Sequence, residues 1–126
     1  MDIKVLTAAL KSGYTVKTVA ENEWEIVLNI TLPNGFKPKV YIRNMADKWF
    51  LCDKKNTLKF MNEMYELGAQ DVKNCIAGVL KVYSFSIIAG EIIAHIGFAN
   101  DILNRLAQFV CCVAELVNMY VFFDKP

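Results

Sequence analysis

The chain has 126 residues, with 14 Lys plus Arg against 13 Asp plus Glu and a formal charge of +1. That length builds one core but not two, and at 55% hydrophobic and 21% charged residues the chain is too apolar to be disordered. Near-neutrality argues against a basic nucleic-acid glove and against an acidic mimic of a phosphate backbone.

At the N-terminus, Ile3, Leu6, Ala9 and Leu10 recur at helical spacing between Asp2, a cap or first-turn acid, and Gly13, which is placed to end the helix. No basic segment followed by an apolar one precedes this helix, so no secretory signal is expected and the protein is placed in the cytoplasm. The β-branched run around Thr15, Val16, Thr18 and Val19 predicts a strand. After a turn at Glu21-Asn22, Trp24, Ile26, Leu28, Ile30 and Leu32 alternate with polar residues, which predicts a strand running to residue 32. Pro33-Asn34-Gly35 predicts a turn. Val40 and Ile42 then begin a return strand, a loop is expected over 44–48, and Trp49-Phe50-Leu51-Cys52 closes a three- or four-stranded antiparallel meander.

Asn56 or Thr57 is the expected cap of a helix carrying Leu58, Met61, Met64, Tyr65 and Leu67, and Gly68 stops it. A second run with Val72, Ile76, Val79, Leu80 and Tyr83 follows at once, either as the second half of a broken helix or as a helix of its own. Residues 84–88 and 91–96 flank Ala89-Gly90 and predict a β-hairpin. Asn100 or Asp101 then caps a long terminal helix with Leu103, Leu106, Val110, Val113, Val117 and Tyr120 on one stripe. The expected fold is a single α+β domain spanning 1–126. An antiparallel sheet, meander plus hairpin, is packed by an N-terminal helix, a central broken helix and the long C-terminal helix.

The longest apolar stretch, residues 109–123, carries Glu115 and Asn118 and falls short of the roughly 20 residues a membrane span needs. Cys52, Cys75, Cys111 and Cys112 form no CxxC pair, so reduced, mostly buried thiols are expected. His95 stands alone as a general base without a nucleophile. Asp47, Asp53 and Glu63 match no metal-ligand spacing, and the glycines form no phosphate-binding loop. No catalytic residue, cofactor or metal is expected.

Two features point instead to association. Between residues 84 and 123 the only full charges are Glu91, Asp101, Arg105 and Glu115. A terminal helix apolar beyond one stripe needs a cover, so a homodimer through Phe109, Val113, Leu116, Val117 and Tyr120 is expected. Lys37, Lys39, Arg43, Lys48 and Lys54 fall near Phe36, Tyr41 and Trp49. Such a mixed patch suits a protein partner better than nucleic acid, because Asp47 and Asp53 interrupt it.

The runs Trp24-Glu25-Ile26, Val40-Tyr41-Ile42 and Trp49-Phe50-Leu51-Cys52-Asp53-Lys54-Lys55-Asn56-Thr57-Leu58 resemble a bacterial and phage family known as domain of unknown function 1828. The hairpin around Gly90-Glu91-Ile92 and the run Leu103-Asn104-Arg105-Leu106-Ala107-Gln108-Phe109 resemble its later elements. Asp53-Lys54-Lys55-Asn56 stands where that family usually has an Asp-Gly turn. The resemblance implies a small accessory protein of phages or mobile elements. Such a protein would bind and block a bacterial host protein, including CRISPR-type defence components. The order of elements is also similar to that of type III secretion chaperones, which dimerise and hold an extended protein segment. A small enzyme using His95 and a nucleic-acid-binding accessory protein are the remaining alternatives.

Overall fold

The computed structural model describes residues 2–10 and 13–119. Helix α1 (Ile3–Ala9) starts at Asp2, whose carboxylate accepts the Val5 amide at 3.0 Å and so satisfies one free donor of the first turn. It ends with Leu10 at the C-cap, before Gly13, which is therefore not its terminator. Strands β1 (Thr15–Ala20), β2 (Glu23–Val27), β3 (Val40–Met45) and β4 (Lys48–Cys52) form a four-stranded antiparallel meander. Two separate helices follow, α2 (Asn56–Met64) and α3 (Gln70–Tyr83). The hairpin β5 (Ser86–Ile88) and β6 (Glu91–Ile96) comes next. A 3-10 turn at Ala99–Asp101 then leads into α4 (Ile102–Val117).

The hairpin docks through β6 onto β4, giving one sheet in the order β1-β2-β3-β4-β6-β5. This is the α+β architecture expected from the sequence, with β1 and β5 as its edges. The register sorts the side chains into two faces. Trp24, Ile42, Leu51 and Ala94 are mutual cross-strand partners on one face, as are Ile26 with Val40 and Ile87 with Ile92. These residues share one core cluster with Leu6, Met61, Leu80, Leu106 and Phe109 from the helices. The opposite face carries the row Glu25, Tyr41, Cys52 and Ile93, and the row Glu23, Arg43, Phe50 and His95. Tyr41 and Cys52 are buried yet lie outside that core cluster.

Helix α4 runs through the middle of the helical layer, against α1, α2, α3, β4 and β6. Phe109, Leu116 and Val117 are 0% exposed and Val113 is 1% exposed within the single chain. These four are core, not a surface for a second copy. The sheet and three helices enclose the apolar stripe that had implied a dimer. Tyr120, the fifth expected anchor, lies outside the described residues.

Other departures have local causes. Strand β2 stops at Val27 because β3 begins at Val40, opposite Ile26, leaving residues 28–32 no residue of β3 to pair with. The chain instead crosses to the helical layer. There Phe36 packs on Phe60 at 4.6 Å, and the Asn34 amide donates to the Val117 carbonyl at 3.2 Å. The Tyr65 hydroxyl donates to the same carbonyl at 3.1 Å, so the end of α4 is capped from two sides. The expected loop over 44–48 is a two-residue turn, Ala46-Asp47, with φ of 51° and 61°. Neither Asn56 nor Thr57 caps α2. Asp53, 0% exposed, does so: its carboxylate accepts the amides of Lys55, Thr57 and Ile92 at 3.0–3.2 Å. One side chain thus ties β4, α2 and β6 together. Asp101 stands at the start of α4 without a side-chain cap bond, because the 3-10 turn leads straight into the helix.

Candidate functional site: the helix-free face of the sheet

The basic and aromatic patch expected from the sequence does not assemble. Phe36 and Trp49 point into the core, Trp49 against Trp24 at 5.5 Å. Tyr41 is buried under Lys54, whose Nζ lies 4.9 Å from the ring centroid. These three aromatic residues are therefore not contact surface, because alternation and loop closure turn them inward or cover them. Lys37, Lys39 and Lys48 are exposed.

Arg43 and Lys54 are committed to intramolecular partners. Arg43 Nε donates to Glu23 at 3.0 Å, and its two terminal nitrogens grip Glu91 at 2.9 and 3.0 Å. Lys54 bridges to the other Glu23 oxygen. Burial works against the charge on Glu23, but hydrogen bonds from Lys54 and Arg43 outweigh it and hold the carboxyl below its ordinary range. The same bonds push the other side up. The fork to Glu91 raises Arg43, and the bond to Glu23 raises Lys54. Arg43 and Lys54 therefore belong to a neutralised network with Glu23 and Glu91, not to a free positive field.

The bidentate reach of Arg43 crosses β4 and ends on Glu91, at the far end of β6. Sheet twist makes this possible, because it lifts one diagonal pair of corners toward this face. The same twist brings the β3–β4 turn and the β5–β6 turn, which lie at opposite ends of the sheet, to the walls of one cleft. That cleft has a volume of about 330 Å³ and is lined by Met45, Ala46, Phe50, Ile88, Ala89 and Ile93, with Arg43 and Glu91. Met45 is 57% and Ile88 61% exposed. His95 stands exposed on β6 with its ring 5.5 Å from that of Phe50. A second, wider groove of about 810 Å³ runs between α1 and the start of α4, lined by Ala8, Ala9, Ala99, Val5 and Leu103 together with Asp2, Lys4 and Asn100.

Comparison of the chain with protein-family models, with curated proteins and with solved structures found no match. The site is therefore read from its own chemistry. Among the described residues no three of His, Cys, Asp and Glu gather to hold a metal ion. No described helix is long and apolar enough to cross a membrane. Cys52 and Cys112 are buried, and burial pushes their thiols up to about 11 and about 12, which suppresses the nucleophilic thiolate at neutral pH. Cys75 is half-buried and Cys111 exposed.

Sequence reasoning passed over Met45, Phe50, Ile88, Glu91 and Ile93. A signal was available for two of them. Phe50 sits between the core residues Trp49 and Leu51, and Ile93 between Ile92 and Ala94, so strict alternation places both on the opposite face.

Proposed function

We propose that this chain is a protein-binding module that acts without catalysis and holds its partner on the helix-free face of the sheet. The observation that carries this reading is the gathering of Met45, Phe50, Ile88 and Ile93 around one cleft on a face that none of the described helices covers. Apolar side chains rimmed by polar ones are the ordinary anatomy of a contact surface. Lys48, exposed on the same face, belongs to the rim. The resemblance to a phage and mobile-element family supports a bacterial host protein in the cytoplasm as the partner, and occlusion of that protein's working surface as the effect.

The test is site-specific photo-crosslinking in bacterial lysate. A photoreactive side chain at Lys48 or Ile88 is expected to yield one adduct of discrete mass. The same group at Val82, 76% exposed on α3, is expected to yield none. Adducts from all three positions, or from Val82 alone, would overturn the assignment of the face.

A further inference from the structure

We infer that the cleft receives one uncharged apolar side chain of the partner, of leucine, methionine or phenylalanine type. This rests on the protein-binding reading above and names the group that the reading leaves open. Volume is the first support. About 330 Å³ lies at the small end of ligand-sized cavities, matching a single anchoring side chain better than a longer stretch of chain.

Charge is the second. The two charged residues on the wall already satisfy each other, since Glu91 holds both terminal nitrogens of Arg43 and Glu23 holds its Nε. An incoming carboxylate would lie against Glu91, and an incoming cation would lie against Arg43. Either would lose hydration and find no unpaired opposite charge, because Arg43 is already neutralised by Glu23 and Glu91. A neutral apolar group loses nothing of that kind and covers Met45, Phe50, Ile88 and Ile93.

The walls supply the third support. Ala46 and Ala89 both hold φ of 51°, a left-handed conformation that Asn or Gly adopts at lower energy in two-residue hairpin turns. Both alanines line the cleft. Alanine gives each wall an apolar methyl group, where the turn alone would favour the polar amide of Asn or the bare backbone of Gly. The two turns thus carry strain on the very surface that receives the anchor.

The experiment uses the whole chain with labelled isoleucine methyl groups, followed by NMR. The probes are N-acetyl-leucinamide and N-acetyl-phenylalaninamide, with the amides of N-acetyl-aspartate and N-acetyl-lysine as charged counterparts. The Ile88 and Ile93 methyl signals are expected to shift and saturate with the two apolar probes and to stay in place with the charged ones. No shift up to the solubility limit, or equal shifts with charged probes, would overturn the inference.

Ala89→Asn separates wall chemistry from folding, because it is expected to melt higher than the parent while binding the probes about tenfold more weakly. Unchanged binding in that variant would also overturn the inference. Ile88→Asn, at a side chain already mostly in water, is expected to show the same weakening without the gain in melting temperature. Crosslinks at positions 48 and 88 without probe shifts would leave the protein-binding face standing and reject the anchor. Probe shifts without crosslinks would reject the face and make the cleft a site for a free small molecule.

Discussion

On the helix-covered face Ile26, Val40, Ile42, Leu51 and Ile92 have no solvent exposure, whereas on the other face Met45 and Ile88 keep more than half of theirs. Both faces belong to the same strands and are drawn from the same apolar vocabulary. The covered face is sealed by α4 and its neighbours. The other is closed only in part, by its own long side chains: Arg43 lies across β4, and Lys54 lies over Tyr41. The difference teaches that apolar content along a strand reports the need for cover, while the source of that cover depends on topology. A charge-poor sequence from residue 84 to 123 suggested a missing subunit, but the missing cover was the rest of the same chain.

The sharpest way to break this contrast is to disturb α4. Phe109→Ala is expected to cost about 3–5 kcal/mol in urea unfolding, the usual loss for an aromatic side chain in a sealed core. Val113→Glu is expected to abolish the native near-ultraviolet circular dichroism. A Val113→Glu protein that kept its fold and merely halved its mass by light scattering would restore the dimer interface rejected above. Next comes the joint between the two layers. Asp53→Ala leaves three backbone amides without their acceptor and is expected to cost about 3 kcal/mol in the same assay.

The open face should respond less. Arg43→Lys gives up the paired bonds to Glu91 on a side chain 19% exposed and is expected to cost about 1 kcal/mol. A loss as large as that of Asp53→Ala would mean that this face, too, is structural core.

Alkaline titration compares the faces directly, because Cys52 lies on one and Cys112 belongs to the other. Burial raises both thiols above the ordinary value of 9.0, to about 11 and about 12. The hydrogen bond to Glu115 raises Tyr83 from 10.0 to about 12. A group whose folded value is raised contributes fully below its unfolded value and loses that contribution as pH climbs through the folded one. Stability is therefore expected to hold up to about pH 9 and to fall between about pH 9 and pH 12. Cys52→Ala and Cys112→Ala should each flatten part of that fall in melting temperature. An unchanged slope in Cys52→Ala would show that its thiol is not sealed from water.

A further effect, of about the size of that in Arg43→Lys, has the opposite sign. Lys54 and Lys55 hold φ of 52° and 71°, and Lys55→Gly is expected to add about 1 kcal/mol of stability by removing a left-handed side chain.

The elements were legible because their signals are local: period-2 alternation at Trp24 and Ile26, helical spacing from Leu103 to Val117, and Gly90 between two apolar runs. Three kinds of information were not. Turns built from Ala46-Asp47 and Lys54-Lys55 hide behind residues that seldom take positive φ. The Asp53 bond to the Ile92 amide joins positions far apart in the chain, and no window of sequence contains both. The cleft arises from twist, which lifts Ala46 and Ala89 to one place although the register sets them at opposite ends. Local charge also misled, because Arg43 and Lys54 were read without the carboxylates they face. Glu23 and Glu91 are ordinary in the sequence and decisive in space.

The position of α4 in the chain has a consequence for biosynthesis. Its buried side chains, Ile102, Leu106, Phe109, Cys112, Val113, Leu116 and Val117, close a sheet whose six strands are all translated earlier. At the usual 5–20 residues per second, α4 alone occupies the ribosome for about 1–3 s, during which the inner face of the nascent sheet lacks its central helix and is covered only in part by the earlier helices. A chaperone that shields apolar strands should therefore associate with this polypeptide on the ribosome and leave once α4 emerges.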